Sequence, residues 1–146
     1  MTMNATATAA VNPASASNRD EAAEYIWNNS FDKPTLVVSR ERVGVQYDAL
    51  KAGLGDAHIH YAVKANPAPE IIRLLVERGS GFDAASRQEI ELCLSQGSDP
   101  AKISFGNTIK RGVDIAFAHS IGVTLFAADC EAELDKIAAH APGARV

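Results

Sequence analysis

Two cysteines, Cys93 and Cys130, are all the sulfur chemistry this chain offers beyond methionine. They lie far apart and lack the close pairs that zinc sites use, so no metal centre and no disulfide framework is expected. Both are read as reduced thiols, with Cys93 in the core. Basic residues are also scarce: 14 Lys and Arg against 18 Asp and Glu leave a formal charge of −4. That balance lacks the electrostatic footprint of a nucleic-acid or anionic-membrane partner and favours a small molecule. No apolar run approaches the ~20 residues of a membrane-spanning helix, so a soluble protein is expected. Residues 1–18 contain no charged side chain. They have neither the apolar stretch of a secretory signal nor the arginines of a transit peptide. A disordered tail over 1–18, one domain over 19–146 and a cytoplasmic location are the expectations.

What is present is ordinary globular composition, with 47% hydrophobic residues over 146 positions, enough for one sizeable core. A short helix is expected over 19–29, with Trp27 either in the core or covering a neighbour. Thr35–Ser39 reads as a strand, and Arg42–Leu54 as a helix with Val43, Tyr47 and Leu50 at helical spacing. Strand-like runs then begin near Ile59, Gly81, Ile103 and Val123, and again near Ala144, about 20 residues apart with a helical pattern in each gap. That is the sequence form of repeated βαβ units around a parallel sheet. Pro69 opens one helix and Gly79 closes it, with Ile71, Ile72, Leu75 and Val76 as its stripe. Ser86 and Glu89 form a capping box before Ile90, Cys93 and Leu94. A further helix is expected over Arg111–Ser120, and Asp129 is expected to cap the last one, which carries Leu134 and Ile137.

Chemistry concentrates at Tyr61-Ala62-Val63-Lys64-Ala65-Asn66. Strand alternation would put His60, Ala62 and Lys64 on one face, leaving an amine beside a small side chain with room for a flat ligand. A lysine at a strand end usually reaches water, so the motif needs company. Alternation in the next strand puts Gly81, Asp83 and Ala85 on one face, and Asp83 would stand beside Lys64 if that face looks inward. In the third unit Gly106 permits a tight turn, and Asn107 and Lys110 either face a ligand or cap a helix and solvate a loop.

Tyr61–Asn66, Gly81–Ser86 with Glu89-Ile90, Gly106–Lys110, and Leu125–Asp129 with Glu133-Leu134 resemble four motifs of one enzyme family. It is the pyridoxal-phosphate-dependent ornithine, arginine and diaminopimelate decarboxylase family, whose barrel is shared with alanine racemase. They occur in order and at the family's spacing. Gly-Asn-Thr-Ile-Lys looks like the ornithine and lysine branch, whereas Ala128-Asp129-Cys130-Glu131 departs mildly from the usual Phe-Asp-Ser-Glu. The resemblance implies a partial (β/α)8 TIM-type barrel, an α/β fold of about four βα units. It implies pyridoxal 5′-phosphate as cofactor, Lys64 as the lysine that attaches it, Asp83 as the aspartate lining the same site, and Ala62 as the small residue beneath the cofactor. His58 and His60 match no catalytic position. The implied activity is decarboxylation of ornithine to putrescine in polyamine biosynthesis, in a protein that is a homodimer when complete. Lysine, arginine or diaminopimelate are alternative substrates, and alanine racemase ranks third. A non-catalytic barrel fragment that pairs with or regulates a full-length homologue is the competing class. A full barrel takes about 250 residues. The family's ring-stacking histidine, phosphate loop and acidic partner of the pyridine nitrogen would fall beyond Val146, and the chain alone is expected to be inactive.

Overall fold

The computed structural model describes residues 21–146, so the expected tail over 1–18 lies outside the described residues. Among the described residues two compact units are distinguished, 21–39 and 40–146.

Within the first unit, helix α1 spans Glu21–Asn28. Its aromatic side chains stay in water: Trp27 is 89% exposed, and Tyr25 packs only obliquely on Phe31 with ring centroids 6.2 Å apart. Thr35–Ser39 is extended sequence without strand pairing, contrary to the expectation. A β-branched run supplies propensity, but a strand exists only where a neighbour accepts its ladder hydrogen bonds.

The second unit opens with α2, Arg40–Leu54, which seats Tyr47 in the core and leaves Leu50 exposed. Four βα units follow. The strands are β1 His60–Ala62, β2 Gly81–Ala84, β3 Ile103–Phe105 and β4 Leu125–Phe126. Between and after them run α3 Pro69–Glu77, α4 Arg87–Ser95, α5 Gly112–Ser120 and α6 Glu131–His140. All pairs are parallel and the spatial order is β1-β2-β3-β4. Sequential order without reversal is the winding of a barrel; a doubly wound sheet would reverse at a switch point. A parallel bridge from Leu125 to Arg145 continues the sheet near Ala144, where a fifth strand was expected.

Local chemistry sets the helix ends. Pro69 sits in the first turn of α3, and Gly79 takes φ +79° just beyond its C-cap, a conformation that other residues resist. Ser86 Oγ accepts the Glu89 N–H at 3.2 Å, and Glu89 Oε2 accepts the N–H of Ala85, one residue before the cap, at 2.6 Å. The capping box is therefore real but shifted by one position. For α6 the N-cap is Cys130 rather than Asp129, and Leu134 faces solvent while Ile137 is buried.

Register divides the sheet into two faces. Tyr61 pairs with Phe82 and Phe82 with Ile103, while Ala84 pairs with Phe105 and Phe105 with Phe126. All of these but Tyr61 are fully buried in the core, where Ile72, Leu75, Ile90, Cys93, Ile115 and Ile137 from the helices also lie. The opposite face carries one row, Ala62, Asp83, Ser104 and Leu125, ending at Arg145. Every residue from Ala62 to Leu125 in that row is only half-buried. A layer of side chains contributed strand by strand to the inside is the interior pattern of a (β/α)8 barrel.

Candidate active site

The sequence placed Lys64 at the end of a strand, but β1 stops at Ala62. The backbone coils into a 3₁₀ turn over Val63–Ala65. Val63 turns wholly into the core, and Lys64 is carried past the C-terminal end of the strand into solvent. Alternation therefore fails at its last step, although it places Ala62 correctly. The result still serves chemistry, because barrels present their reactive groups at the C-terminal ends of strands. Lys64 takes part in no ion pair or hydrogen bond among the described residues, so its amine is free to react.

Asp83 is Ala62's register partner on the inner row, as expected from the cap at Ser86. Its Oδ1 accepts a hydrogen bond from Ser104 Oγ at 2.8 Å, and Ser104 is in turn its partner on β3. Asp83 and Lys64 do not form an ion pair; the turn bearing Lys64 packs against β2. The next residue of importance is Gly106. Its φ is not positive, so the left-handed turn is not why glycine stands here. A Cβ at 106 would overlap the Asp83 carboxylate, and the Gly106 N–H donates to Ala84 O at 2.8 Å. Glycine lets the backbone after β3 lie directly on the aspartate.

Sequence reasoning missed Ser104. Counting two-residue alternation back from Gly106 and across from Asp83 would have found it. Lys110, read as a residue that faces a ligand or solvates a loop, does neither. Its side chain is 0% exposed and pairs with Glu133 at 2.8 Å. Asn107 is exposed, and its amide nitrogen donates to Ile109 O at 2.9 Å. His58 and His60 are exposed and border a concavity of about 620 Å³ with Lys51, Lys102 and Arg145. That concavity includes neither Lys64 nor Asp83.

The residues present fit a pyridoxal group. An exposed, unpartnered amine follows the strand end by two residues, and the last residue of that strand, Ala62, is small. On the neighbouring strand the Asp83 carboxylate has Oδ1 committed to Ser104, and Oδ2 makes no such bond.

Residues 40–146 match the pyridoxal-binding domain of the pyridoxal-dependent decarboxylases. The chain is 41% identical over 110 residues to the chloroplastic ornithine decarboxylase of Nicotiana glutinosa, covering 75% of this chain and 26% of that protein. It is 38% identical over 113 residues to the lysine/ornithine decarboxylase of Selenomonas ruminantium, covering 77% and 29% respectively. Among solved structures, the lysine/ornithine decarboxylase of Vibrio vulnificus complexed with putrescine superposes with a TM-score of 0.74 at 33% identity. That match spans 83% of this chain and 34% of that one. The chain thus spans between a quarter and a third of the length of these proteins.

Proposed function

The chain belongs to the pyridoxal-dependent decarboxylase family, and we propose that it contributes the cofactor-attaching part of an amino-acid decarboxylase whose substrate is ornithine. The observation that carries this reading is Lys64: an unpartnered amine just past the C-terminal end of β1, next to the inner row of Ala62, Asp83 and Ser104.

When bound, pyridoxal phosphate supplies an electron sink for the pair released as carbon dioxide leaves. The chain's own residues prepare the place for it. Lys64 would provide the nucleophilic amine that holds the cofactor. Ala62 keeps the floor beneath the ring low. Asp83, fixed through Oδ1 by Ser104, presents Oδ2 as an acceptor that holds a proton or a cationic nitrogen beside Lys64. The close approach of the Gly106 backbone to this half-buried carboxylate restricts its rotation, which favours one productive orientation.

Gly106-Asn107-Thr108-Ile109-Lys110 follows the ornithine and lysine branch rather than the diaminopimelate branch, and the Nicotiana glutinosa relative named for ornithine matches over three quarters of the chain, which supports ornithine. A cytoplasmic homodimer making putrescine for polyamine biosynthesis is the corresponding whole-protein proposal.

The test is to load the protein with pyridoxal phosphate, reduce with borohydride and map the modified peptide. The label is expected on Lys64, and K64A should abolish it. Label on Lys110 or Lys102 with Lys64 unmodified would refute the assignment.

A further inference from the structure

We propose that Lys110 is a positioning residue of the active face, and this rests on the reading of Lys64 and Asp83 given above. Its ammonium ties the loop after β3 to the loop after β4, and so holds the backbone at Gly106 against the Asp83 carboxylate.

The ammonium is completely buried and Glu133, its partner, is 3% exposed. Lys110 Nζ donates to Asn107 O at 2.8 Å in its own loop, and to Ala127 O in the loop that follows β4. The rest of the residue is equally engaged. Its backbone N–H donates to Glu133 Oε1 at 3.1 Å, and its carbonyl accepts from Lys136 Nζ at 2.7 Å. Lys136 also pairs with Glu133 at 2.6 Å. One residue, through its side chain and its backbone, thus gathers two loops and the first two turns of α6. Both loops leave the C-terminal ends of their strands, the end at which Lys64 stands.

Stability alone is a poor reason for such a group. Taking two charges out of water is costly, and an apolar pair of similar volume often supports a fold as well or better. What a buried network adds is a unique arrangement, because carbonyls, carboxylate and ammonium are satisfied together in one geometry. Here that geometry reaches the site through few bonds. The tethered loop begins at Gly106, whose N–H is bonded to Ala84 and whose Cα lies on Asp83. The Ala127 N–H likewise returns to Phe105 O at 3.1 Å. A shift of the loop moves the surface against which Asp83 rests, with Ser104 left as the carboxylate's remaining bond.

The experiment compares the whole chain with K110M and K110M/E133M, chosen because the double variant replaces the ion pair by an apolar pair. Three quantities are read: thermal unfolding, the NMR chemical shift of the Gly106 amide, and the rate of reductive labelling of Lys64 by pyridoxal phosphate. K110M should unfold earlier. K110M/E133M should recover part of the lost melting temperature, yet its Gly106 amide shift should stay displaced and Lys64 labelling should remain slower by about tenfold or more, as expected for a misplaced site. A wild-type Gly106 shift and wild-type labelling in the double variant would show that Lys110 serves stability only and would overturn the proposal. Absence of Lys64 label in the wild type would sink the active-site reading by itself, and the Gly106 shift would still decide the case of Lys110.

Discussion

At the scale of single residues, Gly106 illustrates how a glycine can be demanded by space without any unusual backbone angle. A methyl there overlaps the Asp83 carboxylate, so G106A must either displace the aspartate or shift the loop. Overpacking of this kind costs on the order of 1–3 kcal/mol. The variant is expected to melt earlier and to label poorly at Lys64, and G106A/D83A should recover the stability because the overlapping atoms are gone. Equal stability of G106A and wild type would contradict the packing described here. The two cysteines separate just as sharply. Burial, with Glu89 adding to it, pushes the Cys93 thiol up to about 12, whereas Cys130 is exposed at the start of α6. Since the thiolate is the reactive form, iodoacetamide at neutral pH should alkylate Cys130 alone, and Cys93 only after denaturation. The sign of the linkage follows. Keeping Cys93 neutral favours the fold fully below the unfolded thiol's value near 8.5, and that contribution fades as pH rises from there toward 12.

At the scale of elements, the four βα units were legible because each strand is followed by a stripe of apolar residues and a glycine that stops the helix. Gly97 and Gly122, at φ +92° and +97°, punctuate the chain as Gly79 does. What the sequence hid was the shortness of the strands. The four have between two and four residues, too few for alternation to be followed past the last paired residue. Lys64 was therefore assigned to a strand face when it belongs to a 3₁₀ turn. Ala62 and Asp83, inside the paired segment, were placed correctly. Lys110 was misread for a different reason: a lysine in a polar loop looks solvated, and the carboxylate that buries it is 23 residues away. That carboxylate allows a pH prediction. Burial by itself would raise the Glu133 carboxyl, but hydrogen bonds and charge from Lys110 and Lys136 outweigh it and hold it below its usual range. A depressed carboxyl stabilises the fold above its unfolded value near 4.3 and ceases to do so as pH falls through the lower folded value. E133Q should therefore lose stability at neutral pH and show a shallower further loss below about pH 4 than wild type. Parallel acid limbs for the two proteins would remove Glu133 from the account.

At the scale of the whole molecule, the helices α3 to α6 cover one face of the sheet while the row of Ala62, Asp83, Ser104 and Leu125 lies on the other, only half-buried. Barrel interiors gain their stability when such rows meet across eight strands. The solved relative is about three times longer than the part matched here, which covers 34% of it. Catalysis sets a separate condition, because an amine that attaches the cofactor does not by itself orient its ring. We therefore predict that a polypeptide of residues 1–146 alone takes up pyridoxal phosphate weakly at Lys64 and releases no carbon dioxide from ornithine. Adding the unmatched remainder of a lysine/ornithine decarboxylase as a separate polypeptide should restore measurable release, and K64A should abolish it again. The deciding measurements are thermal unfolding, hydrodynamic size and carbon dioxide evolution on the same preparation. Carbon dioxide release from ornithine by residues 1–146 alone would show that four βα units suffice to orient the cofactor, and the reasoning from ring orientation would be wrong.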